Sequence, residues 1–179
     1  CKTRTSMEGI VDFARSLTDS CVSIVWLAHS QELCEQAYEQ LLILWSQHAT
    51  EPANIIRLWG NDSLDDVSID KLTFVITSFS KAHKMVSSKS NEVFSKITDI
   101  KKKNALLIID EAHQSTAETY QAAIEFLCNS NTKILGLTAT PGRDYIEGAG
   151  EATKILADFY ENNKISIVDS KIDPTVQII

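Results

Sequence analysis

Residues 105–109 read Ala-Leu-Leu-Ile-Ile, an unbroken apolar run that stops abruptly at two carboxylates, Asp110 and Glu111. A strand with one wet face alternates apolar and polar residues, so a run that is apolar at every position has both faces covered. A parallel sheet sandwiched between helices meets that condition, which points to an α/β class before anything else is read.

The rest of the chain fits such a sheet. Apolar residues recur at helical spacing from Arg4 to about Leu17, through Met7, Ile10, Val11 and Ala14. Residues 22–28 (VSIVWLA) form a second apolar, β-branched run, a buried strand. Ser30 stands where a helix N-cap belongs, with Glu32 in the first turn and Leu33, Ala37, Leu41 and Leu44 on one face behind it. Asn54–Leu58 and Leu72–Thr77 read as strands divided by a turn at Gly60-Asn61-Asp62. Two helical stretches follow, the second over about Ser90–Ile100 with Val93, Phe94, Ile97 and Ile100 aligned. Ser115-Thr116-Ala117-Glu118 has the form of a capping box, and Lys133–Leu137 that of a further strand. A last helical pattern runs through Ile155, Leu156 and Phe159, followed by a weak strand at residues 165–168 and Pro174.

The 179 residues amount to one domain, with no apolar run near the roughly 18 residues of a membrane span. Cys1, Cys21, Cys34 and Cys128 form no CxxC pair and have no histidine at zinc spacing. They read as reduced thiols of an intracellular protein, cytoplasmic if the source is prokaryotic. A net charge of −7 speaks against a protein that coats nucleic acid through a dominant basic face. It leaves room for a motor, which needs only a local strip of phosphate contacts that helix N-termini can supply. The opening on Cys1-Lys2-Thr3 without a Met suggests a fragment whose upstream part lies elsewhere.

Two carboxylates at the end of a parallel strand stand at the edge where open α/β sheets bind ligands. One can face a metal ion and the other an attacking water. The bare pair Asp-Glu is nonetheless commonplace as a solvated turn. The longer string Asp110-Glu111-Ala112-His113 resembles the Walker B element of the DEAH-type superfamily 2 helicases, and Leu137-Thr138-Ala139-Thr140-Pro141-Gly142-Arg143 resembles their third motif. A given four-residue string arises by chance in such a chain with a probability on the order of 10⁻³, and here two stand in the right order, each after an apolar strand. Cys1-Lys2-Thr3 is similar to the tail of the Walker A loop, Trp26-Leu27-Ala28-His29-Ser30-Gln31-Glu32-Leu33 to motif Ia of restriction and repair helicases, and Thr77-Ser78-Phe79-Ser80 to a later strand-contacting motif. The chain is thus identified as resembling the N-terminal RecA-like domain of these helicases, closest to type III restriction subunits.

That resemblance implies a three-layer, P-loop NTPase type of domain over residues 1–163, with residues 164–179 beginning a linker to a second RecA-like domain. It implies ATP and Mg²⁺ as cofactors, with Lys2 on the β- and γ-phosphates, Thr3 and Asp110 on the metal, and Glu111 orienting the hydrolytic water. His113, Gln114, Thr138 and Thr140 would couple the nucleotide to the strand, and His29, Ser30, Thr77 and Ser80 would contact nucleic acid. DNA is favoured over RNA, and nuclease or methyltransferase subunits are candidate partners. The fragment alone is expected to be inactive without its closing half. Three other readings stay open at this point. Taken alone, Ser30 and Ser80 fit plain helix capping better, which can coexist with phosphate binding because both use the same amides, and an RNA helicase would show much the same motifs. Cys1 stands where the family has Gly, and a Cβ there would crowd a phosphate-binding nest, which favours a non-catalytic binding module.

Overall fold

The computed structural model describes residues 2–17, 21–49, 51–62, 69–87, 91–115, 118–138 and 158–161. In chain order the elements are α1 (Lys2–Ser16), β1 (Ser23–Ala28), α2 (Gln31–His48), β2 (Asn54–Leu58), β3 (Thr73–Ser78), α3 (Phe79–Val86), α4 (Asn91–Lys103), β4 (Asn104–Asp110), a 3₁₀ turn (Ala112–Gln114), α5 (Glu118–Leu127) and β5 (Lys133–Leu137). The strands form one five-stranded sheet in the order β2-β3-β1-β4-β5, and every pairing is parallel.

Alternation along the strands separates two cores. Ile24, Trp26, Phe74, Ile76, Leu106 and Ile108 face one side, where α1 and α2 cover them. Val25, Leu27, Val75, Leu107 and Ile109 face the other, beneath α3, α4 and α5. The central strands β1 and β3 are buried at every position, the polar Ser23, Thr73, Thr77 and Ser78 included. The three-layer α/β architecture expected from the sequence is therefore present.

Polar groups knit the layers together. The Ser23 hydroxyl donates to the Ile100 carbonyl and the Asn104 amide to that of Leu127. The lysine run 101–103 forms the last turn of α4, where cations complement the helix dipole. Lys101 and Lys103 donate to the carbonyls of Glu125 and Ile69. They stand at the start of β4, and that strand's seven residues put about 20 Å between them and Asp110.

One expectation changes in detail. Ser115 was expected to open α5, but its hydroxyl donates to the Ala112 carbonyl at 2.6 Å and closes the 3₁₀ turn instead. The other half of that capping box, the Glu118 side chain, lies outside the described residues, as do the Val93 and Phe94 side chains. The helical pattern through Ile155 and Leu156, the strand at 165–168 and the linker also lie outside them; of that stretch residues 158–161 are described, with Asp158 and Phe159 helical.

Candidate functional site

All five strands run the same way, so their carboxyl ends share one edge. The direction of α1 follows from one contact: the Lys133 ammonium at the start of β5 lies 5.7 Å from the Phe13 ring near the end of α1. Running antiparallel to the strand over roughly 22 Å, the helix brings its first turn towards the carboxyl edge. Thr3 in that turn is buried, and the side chain of Lys2 lies outside the described residues.

At the end of β4, Asp110 is 2% exposed, and its carboxylate accepts the Glu111 amide at 3.0 Å. Glu111 then adopts a left-handed conformation (φ 54°, ψ 51°). An L-residue with a Cβ seldom sits there, and such strain persists where surrounding structure enforces it, commonly at functional sites. Here the 3₁₀ turn behind it, locked by Ser115, is the enforcing structure. The Glu111 side chain is partly exposed where Asp110 is buried, so the two adjacent carboxylates stand as an open and a shielded one.

Pairing of β4 with β5 sets Asp110 opposite Leu137, so Thr138 emerges beside the Glu111 turn. His113 bridges the two ends: its Nδ1 lies 3.3 Å from the Thr138 hydroxyl and 3.4 Å from a Glu111 carboxylate oxygen. One ring nitrogen can accept from the hydroxyl or donate to the carboxylate, but not both at once. Two segments 25 residues apart are thereby brought together. Gln114 is on the 3₁₀ turn with its side chain outside the described residues, and Thr140 is outside them altogether.

The neighbouring strand ends are built from helix caps. Ser30 caps α2 by accepting the Leu33 amide at 3.3 Å. On β3 the cap of α3 is Ser78, which accepts the Lys81 amide; Ser80 is inside the helix, with its hydroxyl 3.1 Å from that of Ser78. The expectation that Ser80 caps a helix is thus corrected by two residues. Thr77 has no exposed surface, and its hydroxyl donates to the Leu58 carbonyl at 2.8 Å. That bond ties β3 to β2 and occupies the hydroxyl that the strand-contacting reading would need.

Sequence reasoning missed two residues on this edge. Lys81 donates to the carbonyls of Gly60 and Asp62, pinning the loop after β2 beside α3; Gly60 takes a φ of +58° in that loop. Tyr120 of α5 reaches His29, its hydroxyl 2.8 Å from Nδ1. Helical periodicity marks Tyr120 as a residue of the inner face, but nothing in the sequence names a partner 91 positions away.

A profile of the family described as type III restriction enzyme, res subunit, matches residues 2–143, which spans the described sheet and the whole site edge. The chain belongs to this family. For the res-subunit family the helicase-type ATPase domain is the matched part, in keeping with the parallel sheet and the acidic turn at its carboxyl edge. Among curated proteins none matches the chain. A similar solved structure is a nuclease-deletion mutant of the type ISP restriction-modification enzyme LlaGI in complex with a DNA substrate mimic, at 15% identity and a TM-score of 0.48. The alignment covers 84% of this chain and 15% of that one, so the chain spans a small part of that enzyme's length. No helix among the described residues is long and apolar enough to cross a membrane.

Proposed function

We propose that this res-subunit family domain is the ATP-binding motor domain of a nucleic-acid-dependent helicase or translocase that acts on DNA. The observation that carries the reading is the strained Glu111 turn, with a buried carboxylate before it and His113 linking it to Thr138.

The donor set suits a magnesium nucleotide. Mg²⁺ prefers a site of one or two protein oxygens completed by water and phosphate, and a shielded carboxylate with a threonine hydroxyl is such a set. Asp110 and Thr3 would hold the ion, and Lys2 would pair with the β- and γ-phosphates. The ion, when bound, would neutralise charge on the phosphates. Glu111, the open carboxylate, orients the water that attacks. His113 exchanges its Nδ1 partner between Glu111 and Thr138, which gives the turn a way to signal the nucleotide state to the next strand end; Gln114 and Thr140 belong to the same relay.

His29, Ser30 and Ser80 form the nucleic-acid side, where amides of the first turns of α2 and α3 can meet phosphates. A second RecA-like domain in cis closes over the nucleotide and supplies an arginine, and nuclease or methyltransferase subunits are the further partners. The 179 residues by themselves are expected to turn over ATP negligibly, because the closing half contributes a catalytic charge.

The deciding experiment measures ATP hydrolysis by the full-length protein with double-stranded DNA and with RNA side by side. Stimulation by DNA and not by RNA is expected. Stimulation by RNA alone would make it an RNA motor, and no hydrolysis with either would favour a non-catalytic module with Cys1 as the reason.

A further inference from the structure

His29 immediately precedes the cap of α2, and Phe79 opens α3 directly after its cap. The two stand at the ends of adjacent strands, β1 and β3. One side chain from a third element joins them. The Tyr120 ring meets Phe79 edge-on, with centroids 4.1 Å apart and planes at 85°. Its hydroxyl lies 2.8 Å from His29 Nδ1, and the two rings are 6.2 Å apart between centroids. Tyr120 is half-buried against the α3–α5 core, whereas His29 is exposed. The helix that carries Tyr120 is the first to follow the Asp110–Gln114 turn.

The hydroxyl contact has a chemical consequence for the imidazole. A neutral ring whose Nδ1 accepts from the phenol carries its proton on Nε2. A protonated ring donates from Nδ1 to the phenolic oxygen and still carries a proton on Nε2. Nε2 is a hydrogen-bond donor in both of these states, and a phosphate oxygen at Nε2 selects them over the neutral tautomer that donates from Nδ1 to the phenol oxygen and leaves Nε2 bare. Without the phenol the ring can flip and exchange tautomers, and the donor is offered only part of the time.

We propose that Tyr120 is a positioning residue for DNA binding: its hydroxyl holds His29 so that Nε2–H faces a backbone phosphate, and its ring, keyed against Phe79, ties that donor to the helix behind the acidic turn. This rests on the reading of His29 and Ser30 as part of the nucleic-acid side.

The test uses the full-length protein and a labelled DNA duplex, with affinity read by fluorescence anisotropy. Tyr120→Phe keeps the ring and removes the hydroxyl, and is expected to weaken binding about threefold to tenfold while leaving the melting temperature unchanged. His29→Ala is expected to weaken it at least as much, and the double variant no more than His29→Ala alone, because the two side chains act as one unit. In ATP hydrolysis the loss should appear as a higher DNA concentration for half-maximal stimulation, with turnover at saturating DNA retained. If His29→Ala weakens binding and Tyr120→Phe does not, or if their effects add, the role of Tyr120 is overturned and the nucleic-acid side stands. If neither substitution changes affinity, the assignment of His29 itself fails and takes the proposal with it.

Discussion

The turn after β4 and the turns after β1 and β3 share one edge of the sheet, yet they are built on different principles. After β1 and β3 the chain enters helices through Ser30 and Ser78, relaxed caps with extended backbone that each accept one first-turn amide. After β4 it passes through a left-handed Glu111 held by a locked 3₁₀ turn. Caps of the first kind recur wherever a strand feeds a helix, so they say little about chemistry. A strained carboxylate beside a buried one has no such everyday use. On the proposed function, the difference separates the groups that react from turns that offer amides to a ligand.

The sharpest way to break this contrast is Glu111→Gln in the full-length protein. Glutamine fits the same backbone and volume but cannot take up a proton. ATP hydrolysis is expected to fall about 10²-fold or more, as for loss of a general base, while nucleotide binding is kept. Hydrolysis at the wild-type rate would return Glu111 to the status of an unusual turn residue.

A smaller effect sharpens the other side of the comparison. Thr77→Val keeps shape but removes the hydroxyl that donates to Leu58. Stability should drop by about 1 kcal/mol, roughly 3 °C in melting temperature for a chain of this size, because a buried carbonyl loses its partner. DNA affinity should stay as it was, whereas Ser80→Ala should lower it slightly. A clear loss of affinity in Thr77→Val, with the melting temperature unmoved, would put Thr77 back on the nucleic-acid side.

Thr77 also shows how far residues can be read in advance. Element types follow from periodicity, and Lys133–Leu137 has the bounds expected for it because a short apolar run between turn residues has few other solutions. The α/β class follows from the unbroken run in β4 and the repeated alternation with helices. The acidic turn was legible because its residues are adjacent in the chain. Partners set by packing were not legible. Whether the Thr77 hydroxyl meets solvent or Leu58 depends on the β2–β3 register, and the Tyr120–His29 contact depends on where α5 lies across the sheet. Gly136 is a further instance: the Tyr160 ring lies so close over it that an added Cβ would be 2.5 Å from Cζ, and the Tyr160 hydroxyl meets that of Ser115 at 3.4 Å. A lone glycine in a strand signals close approach of something, but not of what.

The smallest effect concerns Cys34, on α2 within the α1–α2 core and near enough to Asp110 to feel its charge. Burial, reinforced by the carboxylates of Asp110 and then Glu35, pushes its thiol up from 9.0 to about 12. The folded chain therefore holds this proton at pH values where the unfolded chain has released it. The stabilisation is fully present below about pH 9 and is lost progressively as pH rises from there towards 12. Cys34→Ala should remove that part of the alkaline loss while costing some packing at neutral pH. Native Cys34 should likewise resist a thiol reagent at pH 8 until the chain is unfolded, because the thiolate is the reactive form. Rapid native labelling at Cys34, located by peptide mapping, would mean that the floor beneath Asp110 opens to solvent, and the shielded half of the acidic pair would no longer be shielded.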